Sequence, residues 1–452
     1  MKKFSSIFQA LQRVNTDTKL ITLVALAALA ATGAFAQSSV QIVGTFDPSV
    51  ARSNTSYADG TAVSNTFIRN NSQGTSQITF KGTEDLGGGL KASFLFENDF
   101  DTRYDANGQN GVTASAARGV NFGSNGGEQF LALEGNFGKV QLGAANTPTL
   151  NIQASRQPFS TKIGSGFKGD GVGVLGQGHV RNNNSVVYTT PTMNGFTVSA
   201  GTGFAHNAVA APSNGATPAQ AVTNLGAGNT DSTVLKNQGA YTDISLNYAN
   251  GPLAAGVSFW SAAAQDNLAT GGYPSTISYT TPSVKQTNLY ASYDFGVAKV
   301  MGGYHTEKQD AFTGIASTTA NVNAAGTALT GAQASGTFTQ KGANYTGWNL
   351  ATSVPLSGDL SLLANYGKLQ DKLSQRAANP LDKSIFAIGL RYNLSKNTSL
   401  YARYIEEKNE NIAAAIAANG AGTAASPLIL GGVTGNNAVK VQTTLFGMQT
   451  NF

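Results

Sequence analysis

The residues of this 452-residue chain with the chemistry to do work are sparse and mostly charged. There are three histidines, His179, His206 and His305, and no cysteine. No two histidines stand at a metal-ligand spacing, and a metal site needs several such donors together. A hydrolase needs a nucleophile, a base and an orienting group in contact. Many serines are present, but none stands in a recognisable catalytic context. His305 and Glu307 share a strand face and read as a solvated pair at a rim. Gly171-Val172-Gly173-Val174-Leu175-Gly176 is a formal GxGxxG. A dinucleotide site needs a strand before that motif, a helix after it and an acid about 20 residues on; here no helix pattern follows and the next charges are basic. The sequence therefore implies no cofactor, no metal and no catalytic residue. Fixed charges remain. Arg156, Lys162, Lys168 and Asp170 lie within residues 146–180, and Arg181 follows. Asp47, Lys81, Lys91, Glu97, Asp99, Arg391 and Arg403 are spread along the rest, with Gln77 among them. Fixed charges act by electrostatics, and around a narrow water-filled path they select ions by sign.

The elements that position these charges are strands. The stretch Ser76 to Asp99 shows the plan. Ile78, Phe80 and Gly82 alternate with Gln77, Thr79 and Lys81; after a turn, Leu90, Ala92, Phe94 and Phe96 alternate with Lys91, Ser93, Leu95 and Glu97. Residues two apart in a strand point the same way, so each strand has an apolar face and a mostly polar one. Gly87-Gly88-Gly89 takes positive φ and closes a tight hairpin. The pattern repeats and predicts sixteen strands, near 38–50, 73–85, 89–99, 127–136, 139–145, 183–191, 195–205, 239–249, 252–264, 283–295, 297–308, 343–355, 359–370, 383–394, 398–409 and 439–452. The later strands follow it: Trp348, Leu350 and Val354 alternate with Asn349, Ala351 and Ser353. Leu363, Ile405 and Leu445 break the pattern by falling on the polar side.

Very short turns alternate with long connections. The turns are Asp85 to Gly89, Gly135 to Gly138, Asn250 to Pro252, Pro355 to Asp359 and Ser395 to Asn397. His206 to Gln238, Asp310 to Gly342 and Glu410 to Ala438 read as long loops, and the Ala-rich piece Ile412 to Ala418, though compatible with a short helix, reads better as part of its loop. Loops this long are unusual inside a compact soluble domain, but ordinary on one rim of a membrane barrel. The polar faces are too extensive to fill a core. Aromatics gather at strand ends, at Phe46, Phe94, Phe96, Tyr248, Phe295, Tyr392, Tyr401 and Tyr404. An unpaired backbone group in lipid costs several kcal/mol, so a membrane sheet closes on itself. Arg391 facing lipid at mid-depth would cost about 2–4 kcal/mol, so it belongs on the lumen side.

Composition agrees. Charged residues are 12% and hydrophobic residues 41%, with 53 glycines; a bundle would be richer in helix formers, and a disordered chain richer in charge. The first 36 residues read as an export signal. Basic residues precede the apolar stretch Leu20 to Ala31, and Ala34-Phe35-Ala36 is a cleavage site before Gln37. The apolar run is shorter than the roughly 20 residues needed to span a bilayer. The leader carries +3 of the chain's +5, leaving a mature chain at +2. Charge thus gives no support for nucleic-acid binding.

Specific stretches resemble a known family. SSVQIVGTFD (38–47), ITFKGTEDLGGGLKASFLFEN (78–98), LEGNFGKVQLG (133–143) followed by NTP (146–148), NNSVVYTTPTMNGF (183–196) and the terminal Phe452 are similar to Gram-negative general porins of the betaproteobacterial and neisserial type. The resemblance spans the scaffold and leaves out the long loops. It implies a sixteen-stranded antiparallel transmembrane β-barrel, trimeric, surrounded by outer-membrane lipid and lipopolysaccharide, with small ions and solutes in transit. It also implies that the third external loop, Asn146 to Val180, folds into the pore. There Arg156, Lys162, Lys168 and Asp170 would set a field across the constriction, with Arg181 beside it. Asp47, Gln77, Lys81, Lys91, Glu97, Arg391 and Arg403 would line the lumen elsewhere.

The departures from the family pattern carry weight. Gln77 stands where an arginine is common, Gly127-Glu128 replaces a basic residue, and Ala144 replaces the arginine before NTP. A strong anion preference is therefore not expected; a mild one is, resting on the third loop and Arg181. The expected function is passive diffusion of small hydrophilic solutes and ions across the outer membrane. A substrate-specific channel would need an aromatic track or dense charge cluster, and the third loop offers only Phe159 and Phe167. A barrel enzyme would depend on His179, His206 or His305; an adhesin would act through the exposed loops.

Overall fold

The computed structural model describes residues 39–57, 60–101, 127–167, 181, 184–209, 234–238, 240–270, 275–281, 283–310, 312–318, 336–340, 343–372, 382–410 and 438–452. The expected export signal, Lys168, Asp170, the GxGxxG stretch, His179 and the Ala-rich piece at 412–418 lie outside them.

In chain order the first strands are β1 (Ser39–Phe46), β2 (Pro48–Tyr57), β3 (Ala62–Asn70), β4 (Gln77–Gly87), β5 (Leu90–Asp99), β6 (Gln129–Gly135) and β7 (Gly138–Ala144). One helix, α1 (Pro148–Ser155), follows, then β8 (Ser185–Thr189), β9 (Phe196–Gly203), β10 (His206–Val209), β11 (Val234–Gln238), β12 (Tyr241–Asn250) and β13 (Leu253–Ala262). The remainder are β14 (Gln265–Thr270), β15 (Ser275–Thr281), β16 (Val284–Asp294), β17 (Lys299–Gln309), β18 (Phe312–Thr318), β19 (Gly336–Gln340), β20 (Ala343–Pro355), β21 (Leu360–Asp371), β22 (Lys383–Asn393), β23 (Thr398–Asn409) and β24 (Ala438–Asn451).

Eighteen segments form one antiparallel sheet. They are sixteen barrel strands, because β1–β2 and β3–β4 are each one strand with a local break. Thr45 pairs with Gln77 while Pro48 pairs with Asn70, so residues 46–47 face the longer bulge 71–76. The sheet closes where β24 pairs with both β23 and β2, and its last residues continue onto β1 through Thr45–Asn451 and Phe46–Thr450. Closure leaves no free edge, as lipid requires. The first two strands are longer than the sequence pattern showed. Their upper halves carry Arg52, Asn54, Ser64 and Thr66 on the outer face, so the apolar alternation is lost there.

The faces are inverted relative to a soluble sheet. Val40, Ile42, Leu131, Leu350 and Phe446 are about 60% exposed on the outside, where acyl chains take the place of a core. Asp243, Asn288, Asn349 and Asn365 are buried on the inside. Gly87, Gly88 and Gly89 have φ of 83°, 61° and 81°, so the tight β4–β5 turn is one that only glycine adopts without strain. The long connections are not structureless: β10 pairs with β11, and β14, β15, β18 and β19 form a separate four-stranded sheet.

Candidate pore constriction

The third loop leaves β7 and enters the barrel. Thr147 caps α1, its hydroxyl accepting from Leu150 N at 3.3 Å, and Pro148 occupies the first turn. That position suits a residue with no N–H and a fixed φ. The wall completes the cap. Asp243 on β12 accepts from Thr149 N at 2.8 Å and Thr149 Oγ1 at 2.7 Å, placing a carboxylate at the positive end of the helix. Gly256 on β13 makes room for Ile152, whose Cδ1 would lie 2.7 Å from any Cβ there. Gln153 Nε2 donates to Asn288 on β16 at 3.1 Å.

Beyond the helix the loop runs along the inner wall. Arg156 is fully buried; its guanidinium reaches Asn288 Oδ1 and the Tyr304 carbonyl, while Asn349 Nδ2 donates to the Arg156 carbonyl at 2.8 Å. Burial lowers its pKa, and an arginine still stays charged. Asn365 Nδ2 donates to the Gly164 and Ser165 carbonyls at 3.0 and 3.2 Å. Phe159 and Ile163 pack into a cluster with Ala51, Leu363, Ile385, Tyr401, Ile405 and Leu445. This explains Leu363, Ile405 and Leu445, which lie on the polar face because the loop covers them.

The tip docks on the bulge of the second strand. Asp47 fixes the bulge: its Oδ2 accepts from Gln73 N at 2.5 Å and Gly74 N at 2.7 Å, and Tyr401 donates to its other oxygen. Arg403 then joins bulge to loop, donating to the Ser72 and Ile163 carbonyls and stacking over Phe159 at 4.6 Å. Lys162 Nζ donates to Thr75 Oγ1 at 2.6 Å.

Another stretch of wall carries a polar network. Arg181 Nε donates to Asn146 Oδ1 at 2.9 Å and its guanidinium lies 3.7 Å from Glu97. Gln77 Nε2 donates to Glu97 Oε2 at 2.8 Å. Glu128, just before β6, accepts from Asn146 N and Nδ2 at 3.0 and 3.1 Å. Burial first, then the charge of Glu97, raises the Glu128 pKa, against the pull of Asn146, Arg181 and Lys139. Lys162 of the loop reaches the wall at Thr75, two residues before Gln77, so a loop cation stands beside the Gln77–Glu97–Arg181 network.

The sequence-predicted residues thus divide. Gln77, Glu97 and Arg181 are brought together, and Lys162 is held close by, at Thr75. Lys81 and Lys91 lie on the inward register of β4 and β5, nearer the short turn. Arg391 borders a cavity of about 290 Å³ with Gln73, Lys396 and Gln449 near another short turn. Arg156, Asp47 and Arg403 differ from expectation. All are buried, and they hold the loop and bulge rather than face the channel. Tyr401 is likewise 2% exposed, not part of an interfacial girdle. His305 and Glu307 are buried too, 3.6 Å apart beneath the loop with His305 Nδ1 against Asn288 Oδ1 at 2.8 Å, so they are not a solvated rim pair. Sequence reading missed Asp243, Asn349 and Asn365; their only signal was a polar residue at an inward position, which any lumen residue shares.

Comparison with known proteins agrees with this geometry. The Gram-negative porin family matches residues 22–412. Outer membrane porin protein 32 of Delftia acidovorans is 31% identical over 396 residues, covering 86% of this chain and 90% of that one. An outer membrane porin protein of Bordetella pertussis is 28% identical over 401 residues, 86% and 94% of the two chains. Among solved structures, the anion-selective porin from Comamonas acidovorans superposes with a TM-score of 0.58 at 25% identity, covering 92% of this chain and all of that one. OmpT of Vibrio cholerae, at 12% identity and a TM-score of 0.54, shares the fold. A closed sixteen-stranded barrel narrowed by its own third loop, matched along most of its length by one family, makes this chain a member of the Gram-negative porins, a passive channel of the outer membrane.

Proposed function

We propose that the channel is non-specific, passing small hydrophilic solutes and ions, with a mild preference for anions. The carrying observation is that Lys162 of the loop reaches Thr75 on the wall, two residues before Gln77, which with Arg181 holds Glu97. Both cations are compensated in part: Arg181 faces Glu97, and Glu128 stands close by. A basic wall opposed by this many carboxylates gives weak discrimination, since selectivity follows the net fixed charge at the narrowest level. The anion-selective relative from Comamonas supports the sign. Phe159 is packed between the loop and the inner wall, which leaves it unable to form the aromatic track of a substrate-specific channel. The reading includes a homotrimer seated in lipid and lipopolysaccharide, a cleaved leader over residues 1–36, and no enzymatic activity.

The test is the zero-current potential of the refolded protein in a planar bilayer under a KCl gradient. A small potential of anion sign is expected, moving toward cation preference in Lys162→Gln and in Arg181→Gln. Cation preference in the unaltered channel overturns the proposed sign but not the channel. No conductance at all overturns the open channel.

A further inference from the structure

The outer face of the barrel carries its basic residues at one end only. Among the described strand residues, Arg52, Lys285, Lys308, Lys368, Lys408 and Lys440 share the outward register with the lipid-facing side chains. Each lies toward the long-loop end of its strand, above the apolar band. At the short-turn end, Glu84 is the outward charge in the β4 register.

Lys285 on β16 and Lys308 on β17 are directly opposite each other in register, and both are exposed. Their other neighbours in the sheet are Ser261 and Asn344. Like charges directly opposed across strands destabilise a sheet. Elsewhere on this collar an acid relieves the cations: Lys368 lies 3.4 Å from Glu410, and Lys408 2.6 Å from Glu406. No such ion pair is seen for Lys285 or Lys308 among the described residues. Below them on the same face come the opposed pair Thr287 and Thr306 and then Leu289 and Tyr304, with Phe259 and Trp348 on the flanking strands; the apolar and aromatic side chains are all exposed outward. The pair therefore sits where acyl chains end and headgroups begin.

We propose that Lys285 and Lys308 form a clamp for a phosphate of the glycolipid headgroup in the outer leaflet, with the acyl chains lying on the aromatic surface beneath. A divalent negative phosphate is the ligand that turns two opposed ammonium groups from a repulsion into a site, and charge-assisted hydrogen bonds to phosphate are strong. The location gives the source: a lysine pair at headgroup depth on a lipid-facing wall meets lipid before it meets free anion. The inference rests on the outer-membrane orientation, with long loops outward.

The test uses the folded barrel in detergent, the double variant Lys285→Gln/Lys308→Gln, and the control Lys396→Gln at a short turn. Native mass spectrometry follows binding of a bisphosphorylated lipid A, the same lipid without phosphate, and inorganic phosphate alone. The phosphorylated lipid is expected to lose about thirtyfold in affinity in the double variant, each lysine near an anionic lipid surface being worth about a factor of five. The control is expected to bind as the unaltered protein does. Equal binding by the double variant, or equal binding of the dephosphorylated lipid, overturns the clamp. Binding of inorganic phosphate alone with the same dependence on the lysines overturns the lipid as its source. A change in the number of copies rather than in bound lipid assigns the lysines to a contact between chains and overturns it too. Single-channel conductance of the double variant is read in parallel. If it is unaltered, the channel reading stands whatever becomes of the lipid site.

Discussion

Arg403 shows how much one side chain carries in this channel. Its guanidinium reaches carbonyls of both the bulge and the loop, stacks on Phe159 at 4.6 Å and lies over Tyr401 at 5.3 Å. A planar fork with several donors does this; an ammonium does not. Arg403→Lys is expected to weaken loop docking by about 2 kcal/mol, read as added open-channel noise in single-channel records with no loss of the folded barrel. Glu128 gives a prediction in pH. Its raised pKa means that it takes up a proton at a higher pH than an ordinary carboxylate. Acidification through that raised value removes one negative charge from the wall, so the zero-current potential moves toward stronger anion preference as pH falls. Glu128→Gln is expected to show this more anion-preferring potential already at neutral pH and to lose part of the shift. An identical pH profile in the variant would place the titration elsewhere.

At the scale of elements, the loop is held by packing as well as by hydrogen bonds. Phe159 and Ile163 fill a hydrophobic patch on the inner wall. Phe159→Ala is expected to cost about 3–5 kcal/mol of docking energy, raising conductance and producing substates while the sixteen strands persist. Asp243→Asn weakens the wall's contribution to the α1 cap, with an expected cost of about 1 kcal/mol and a smaller version of the same phenotype. These elements were unequally legible in the sequence. The β4–β5 hairpin announced itself because period-two alternation and a glycine turn coincide there. The β2–β3 extension did not, because Arg52, Asn54, Ser64 and Thr66 face outward and erase the alternation. Helix α1 was hidden because its burial is imposed by the surrounding wall rather than by an apolar stripe of its own. Leu363, Ile405 and Leu445 looked like errors of phase until the loop was seen to lie on them.

At the scale of the whole molecule, the constriction is a balance of a few charges against a wall of hydrogen-bonding side chains. Gln77 and Ala144 were readable departures from the family pattern, each a neutral residue where that pattern carries a cation. The roles of Arg156, Asp47 and Arg403 were not readable, because sequence shows that a charge faces inward but not whether another segment covers it. Since screening at about 0.1 M salt cuts off fields beyond roughly 10 Å, the effect of neutralising Lys162 on the zero-current potential is expected to grow as the KCl concentrations are lowered together. A salt-independent effect would mean that the lysine acts through loop position instead.

The bulge has a consequence for the order in which the protein is made. Asp47 belongs to the first strand and Tyr401 to the last but one, and Gln73 reaches Gln449 at 2.9 Å, close to the end of the chain. The platform on which the loop tip rests therefore exists only once the two termini of the sheet have met. A barrel whose seam is still open has its third loop but lacks the last strands' contacts that hold it. Narrowing therefore depends on closure: the loop tip is held by Arg403 of the last strand but one, on a bulge that Tyr401 and Gln449 tie to the first two strands.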